Sequence, residues 1–326
     1  MYPYIDMHCD TLLRSLTEGS GTLFDGAGMQ SIRQMQEAGQ LCQFFAVFFP
    51  PRDVPPRNPG FVLPPDETFF QILVQNLKTE VNAHGDMIQM AYRYEDIMAN
   101  QRAGKMSAVL TVEDGRMVNG EMEKLEYLYE EGVRAISLTW NGANCFGFPN
   151  SREKEIMEAG LTSFGKEALE RMNELGILID VSHLSDGGFY DVARISKKPF
   201  AATHSNCRAL TPHPRNLTDE MIRLLAEKGG VSGLNFGPEF VSPDGTDRKS
   251  TIENLAAHVL HFIQVGGEDC VGLGTDFDGI GGQLEIGHPA RMYLLFDMLK
   301  KKGLTERQLE KLASGNVLRV FRDAVK

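Results

Sequence analysis

The run Ile5-Asp6-Met7-His8-Cys9-Asp10-Thr11 reads as a short strand that ends in His-x-Asp. Alternate side chains of an extended strand share a face, so His8 and Asp10 point together and Cys9 points away. An imidazole beside a carboxylate is half a site for a divalent transition metal. The plainer reading of so short a motif is a strand end whose polar residues face water. What the rest of the chain sets beside this strand decides between them, and that depends on the fold.

Working outward, apolar runs of strand length recur at 42–49, 107–113, 134–139, 178–183, 200–204, 231–236 and 270–275, which with 4–8 makes eight. Amphipathic stretches of helix length lie between them, at 31–38, 67–83, 121–131, 164–175, 186–195, 218–228 and 252–265, and two more close the chain at 291–301 and 305–313. Thr218 and Thr305 are placed to cap the helices that follow, and Thr305 with Gln308 matches a capping box. Strands this apolar are buried on both faces, as in a parallel sheet covered by helices. Eight strands in alternation with helices predict an α/β fold of the (β/α)8 TIM-type barrel, a single domain over residues 1–326. A ninth run at 87–92 is an expected embellishment. Long loops are expected near 50–66 and 237–250, the first Pro-rich and placed over the barrel mouth. An open dinucleotide-binding sheet would need a Gly-rich turn after strand one, and Cys9-Asp10-Thr11-Leu12 is not one.

The composition narrows the partners. A net charge of −11 argues against a nucleic-acid backbone, which needs a basic face. Five cysteines without a C-x-x-C pair suggest neither a disulfide framework nor a zinc ribbon. The N-terminus shows no signal-peptide pattern, the C-terminus no lipidation box, and no run is apolar enough to span a membrane. A protein of the cytoplasm without a membrane anchor is the expectation.

A barrel enzyme keeps its chemistry at the C-terminal ends of its strands. Strand one ends at His8 and Asp10, strand three at Glu113, strand five at His183, strand six at His204 and strand eight at Asp276. Each has an ordinary structural explanation on its own: Glu113 as a helix cap, Asp276 and Asp278 as turn formers before Gly279. Five such ends converging on one mouth make a metal site. Three imidazoles and several carboxylates exceed what one tetrahedral ion needs, so two ions sharing a bridging carboxylate are expected, zinc by ligand type, with manganese, cobalt and iron as the other divalent candidates.

The ordered motifs Asp6-Met7-His8-Cys9-Asp10, Val112-Glu113-Asp114-Gly115, Asp180-Val181-Ser182-His183, Thr203-His204-Ser205-Asn206 with Arg215-Asn216-Leu217, and Gly274-Thr275-Asp276-Phe277-Asp278-Gly279 resemble the membrane (renal) dipeptidase family of the amidohydrolase superfamily. The likeness spans nearly the whole chain. It implies a barrel with two zinc ions. His8, Asp10 and Glu113 would hold one, and Glu113, His183 and His204 the other. Arg215 matches the family's substrate-carboxylate residue and Asp276 its catalytic acid. The family's vertebrate members carry a substrate-binding histidine where this chain reads Leu138-Thr139-Trp140-Asn141, so Trp140 or Asn141 would donate to the substrate instead. A homodimer is implied by the resemblance alone.

The expected activity is hydrolysis of dipeptides, those with a C-terminal D-residue included, through a metal-bridging hydroxide. Asp276 and Glu113 would be catalytic, and Arg215 would clamp the substrate carboxylate. Another amide or lactone hydrolase on the same barrel is one alternative. A non-catalytic metal-binding barrel is another. Asp6 is expected to orient His8, with Asp180 in a similar role near His183, and His258 and His261 to lie on a half-exposed helix face.

Overall fold

In the computed structural model, which describes residues 2–17, 22–52, 61–243 and 248–326, eight parallel strands close into a ring. They are β1 (Ile5–Asp6), β2 (Cys42–Phe48), β3 (Met106–Glu113), β4 (Val133–Ser137), β5 (Leu178–Asp180), β6 (Ala201–Ala202), β7 (Val231–Leu234) and β8 (Val271–Leu273). Each pairs with its sequence neighbours, and Asp6 opposite Leu273 closes the ring between β1 and β8. The expected (β/α)8 barrel is therefore the observed fold. The ninth run forms the short strand Ile88–Met90, which pairs with Met106–Ala108 at the start of β3 before β4 takes over that edge from Leu110.

Strands β1, β5, β6 and β8 are shorter than their apolar runs suggest. The residues beyond them are held by side chains rather than by the ladder. Asp6 is the clearest case. Its carboxylate accepts from the backbone N–H of Thr275 at 2.8 Å and from the Thr275 hydroxyl at 2.7 Å. That clasps the end of β1 to the end of β8. Asp6 reaches His8 only through the His8 backbone N–H at 3.4 Å, so it fixes the strand end and not the imidazole, contrary to expectation.

The helices fall where the periodicity places them, with Thr218 accepting from Met221 N–H and Thr305 forming the capping box with Gln308. The periodic pattern does not reveal Thr11–Thr17, Tyr94–Arg102 or the closing helix Asn316–Ala324. The last of these matters most. Its Val317, Val320, Phe321 and Ala324 pack with Ile5, Phe44, Val109, Leu178 and Val231, giving the barrel an apolar floor at the end away from Glu113. The expected loop 237–250 holds a short helix, Pro238–Val241, and a strand, Lys249–Ser250, paired with Gln283–Leu284. Residues 244–247 of that loop, and 53–60 of the Pro-rich one, lie outside the described residues.

Inside the ring two glycines admit a neighbouring backbone. A Cβ on Gly274 would lie 1.8 Å from the Thr203 carbonyl oxygen, and one on Gly233 would lie 1.9 Å from the same atom. No side-chain rotation relieves contact with a backbone atom. Gly274→Ala is expected to cost about 3 kcal/mol of unfolding free energy, the upper end for overpacking a core. Urea unfolding of the two proteins measures it.

Candidate metal centre

The predicted residues meet at the mouth. His8 Nε2 lies 3.3 Å from Glu113 Oε2, 3.7 Å from Asp10 Oδ2 and 3.8 Å from Asp276 Oδ1. Across Glu113, His183 Nε2 and His204 Nε2 lie 3.0 and 3.5 Å from Oε1. The His8 and His204 rings stack at 3.8 Å. All of these side chains are buried. Glu113, the last residue of β3, stands between His8 Nε2 on one side and the Nε2 atoms of His183 and His204 on the other.

The strand ends turn sharply to bring them together. His183 and Asp276 take left-handed backbone conformations, φ 69° and 63°, as do Asp114 and Asp278 at 71°. Residues other than glycine take this region uncommonly, Asp, Asn and His more than most, at a cost of about 1–3 kcal/mol each where the backbone is strained.

Proton positions on two histidines follow from their partners. Asp180 accepts from the Ser137 and Thr203 hydroxyls and from the N–H groups of Ser182 and Thr203. With its own proton given to Asp180, Thr203 Oγ1 accepts from His204 Nδ1–H at 2.8 Å. Asn141 Oδ1 accepts from His183 Nδ1–H at 3.2 Å. Both Nε2 atoms are then lone-pair acceptors, yet they lie 3.1 Å apart and both face Glu113 Oε1. Three acceptors turned on one point form no hydrogen bond among themselves. A divalent cation satisfies them. His8 Nε2 and Asp10 Oδ1 are buried without a hydrogen-bond partner, which fits a second cation on the other side of Glu113.

At His183 and His204 the electrostatics agree. Burial, with the Arg215 cation adding to it, drives His183 down to about 4, and burial with the His8 charge holds His204 well below its ordinary value. Both imidazoles are neutral at pH 7, the form that ligates metal. Burial pulls His8 down as well, but Glu113 and Asp10 outweigh it and hold His8 well above the usual range. Burial and then Glu113 raise Asp10 to about 6. Asp276 goes to about 8, first by burial and then by Asp10 and Glu113 acting against His8.

A cavity of about 690 Å³ opens over these groups, lined by Trp140, Asn141, Arg215, Asp276 and Asp278 among others. Arg215 is buried, donating to Ser205 Oγ at 2.9 Å and the His204 carbonyl at 3.0 Å, and its Nε–H has no partner among the described residues. Trp140 packs on Phe48 at 5.0 Å and stands 6.1 Å from His183. Asn141 binds His183, a supporting position the sequence does not indicate.

Other supports also go unseen in the sequence. Asn235, just past β7, donates to Asp276 Oδ2 at 2.8 Å. It is a polar strand end, and the strand-end test extended to strand seven would find it. Asp278 accepts from Thr11 Oγ1 and Met29 N–H, both at 2.7 Å, and lies 3.3 Å from Arg14. His258 is buried, not half-exposed. Its Nδ1 accepts from Cys207 N–H at 3.1 Å, which ties the segment leading to Arg215 onto helix Ile252–Gly266. His261 is half-buried and pairs with Asp219 at 2.7 Å.

The comparisons agree with this architecture. The family model for membrane dipeptidase (peptidase family M19) matches residues 1–326. A crystal structure of a dipeptidase described as a metallopeptidase of family M19 superposes with a TM-score of 0.88 at 28% identity, covering 99% of both chains. A metallopeptidase from Rhodobacter sphaeroides, solved with a phosphinate mimic of L-Ala-D-Ala, superposes at 0.87 and 27%, again over 99% of both. Among curated relatives, an uncharacterized protein from Klebsiella pneumoniae is 38% identical over 67% of this chain and 82% of its own length. An uncharacterized dipeptidase from Schizosaccharomyces pombe is 36% identical over 69% of this chain and 55% of its own. No described helix is long and apolar enough to cross a membrane. A barrel with this mouth, matched from first residue to last by one family, belongs to the membrane dipeptidase family, the metallopeptidases of family M19.

Proposed function

We propose that this chain hydrolyses the peptide bond of dipeptides, those ending in a D-residue included, with two zinc ions at the mouth. The observation that carries the reading is the trio of mutually facing acceptors, His183 Nε2, His204 Nε2 and Glu113 Oε1, beside the unpartnered His8 Nε2 and Asp10 Oδ1. His8, Asp10 and Glu113 would hold one ion and Glu113, His183 and His204 the other. The imidazole and carboxylate set favours zinc. The phosphinate mimic of L-Ala-D-Ala bound by the Rhodobacter protein supports the stereochemical part. Five unpaired cysteines support a reducing compartment such as the cytoplasm.

When bound, the cations supply Lewis acidity and an acidified water. The protein's own groups do the rest. Asp276, with Oδ2 held by Asn235, takes a proton on Oδ1 and hands it to the leaving amine. Arg215 meets the substrate's C-terminal carboxylate with donors that Ser205 and His204 leave free. Asn141 spends its oxygen on His183, which leaves its amide N–H and the Trp140 N–H as donors toward the scissile carbonyl.

The test is a panel of L-L and L-D dipeptides, each with a free or an amidated C-terminus, with and without chelator. Free-acid dipeptides should be cleaved, chelator should stop cleavage, and Arg215→Ala should erase the preference for the free acid. Cleavage at full rate in chelator, or equal cleavage of the amides by the parent protein, overturns the reading. An equal preference for acetylated or lactone substrates would favour the alternative hydrolases instead.

Thr203 acts through His204. Thr203→Val keeps the shape and removes the acceptor that fixes the imidazole proton. It is expected to weaken metal binding about 10–100-fold. Competition against a chelating dye reads it.

A further inference from the structure

Taking Arg215 as the carboxylate clamp of the proposed reaction, the structure carries the reading one step further, to the substrate's other end. Strands β2 and β6 stand four places apart in the eight-membered ring, on opposite sides of the mouth. Arg215 is tied to the end of β6 through His204 and Ser205, with Phe240 beneath it at 5.5 Å. A dipeptide whose carboxylate lies there runs across Glu113 toward β2. The cavity wall it meets on that side is Leu13, Phe48, Pro50, Pro51 and Trp140. Phe48 is the last residue of β2, and Trp140 leans on it from beyond β4 at 5.0 Å, making one continuous aromatic face. Among the described residues the charged groups bordering this wall are already engaged, Arg14 with Asp278 at 3.3 Å and Asp10 with His8 at 3.7 Å.

Among the described residues, Leu13, Phe48, Pro50, Pro51 and Trp140 make this wall mostly apolar, and a cavity of about 690 Å³ leaves it room beyond a dipeptide backbone. We propose that Phe48 and Trp140 form the subsite for the side chain of the substrate's N-terminal residue. It takes large apolar side chains, aliphatic or aromatic, and rejects charged ones. The physical reason is one of solvation. An apolar side chain leaves water for a wall that offers dispersion contacts, whereas an ammonium or carboxylate set against the Phe48 and Trp140 rings would lose water to groups that carry no opposite charge.

The chain has a single tryptophan, so its emission reports on this wall alone. Zinc-reconstituted protein is titrated with phosphinate dipeptide mimics that share a C-terminal alanine and carry a leucine, phenylalanine, lysine or aspartate side chain at the N-terminal position. The leucine and phenylalanine mimics should bind about 10–100-fold more tightly than the charged pair and shift Trp140 emission. Turnover of the matching dipeptides should show the same order, and in Phe48→Ala and Trp140→Ala the ratio of Leu-Ala to Lys-Ala in kcat/KM should fall toward one. Equal affinity across the four mimics, or a ratio unmoved in both variants, overturns the subsite. If the mimics bind in the expected order but no dipeptide is cleaved, the subsite stands and the hydrolase reading falls.

Discussion

Glu113→Gln is expected to strip the protein of metal and to lower kcat/KM by about 10³-fold or more. The carboxylate offers one oxygen to His183 and His204 and the other to His8. A carboxamide has a single acceptor oxygen, so on one side an N–H₂ would face the nitrogens. In the proposed two-ion site one cation would then lose a ligand outright, and both would lose a negative charge from a buried set. Removing even an outer support commonly weakens metal binding about 10–100-fold, so loss of the shared ligand goes further. Lewis acidity is worth several kcal/mol, and each 1.4 kcal/mol is about tenfold in rate. Elemental analysis and steady-state kinetics on the same preparation check both parts. A variant with full metal content and parental turnover would remove Glu113 from the centre.

Asp276→Asn should act differently: metal retained, kcat down by about 10²–10⁴-fold. Asp276 Oδ1 lies 3.8 Å from His8 Nε2, and Asn235 fixes the other oxygen. An amide in that place still occupies the site and no longer shuttles a proton. The pH dependence gives an independent readout. The basic form of Asp276 is the one that accepts a proton, so activity should fall as pH drops through its pKa. That value is about 8 in the metal-free protein, and bound cations bring it down. The acid limb of the kcat/KM profile should vanish in the variant. Stability should move the other way. Folding raises this carboxyl from its ordinary 3.8, so between that value and about 8 the folded state holds the extra proton and loses stability as pH rises. Metal-free Asp276→Asn should therefore melt above the metal-free parent at pH 8. Scanning calorimetry of the two apoproteins decides it.

Much of this was legible in the sequence because the chemistry sits where the apolar runs stop. Glu113 closes its buried strand, and His8, His183, His204 and Asp276 each stand within three residues past theirs, so the alternation of runs fixes the ring that gathers them. The supports were less legible. Thr203 earns its place by standing between Asp180 and His204, and nothing in its neighbours' types announces that two-sided bond. Asn141 and Asn235 reach across from other strands. His258 lies on a helix whose pattern suggests partial exposure, and only the packing of the 207–217 segment buries it. The closing helix was hidden for another reason. Its apolar face is short, and it covers the end of a barrel rather than the side of a sheet, so its pairing depends on eight strands already being in place.

The clasp between Asp6 and Thr275 joins residues 269 positions apart. On a ribosome the N-terminal partner, with His8 and Asp10 just behind it, emerges long before the other exists. Glu113, the carboxylate nearest His8, follows within the first 113 residues, but the ring that holds the two together is not yet closed. The mouth that gathers these groups is therefore set only when the last strand is made and takes its place beside the first.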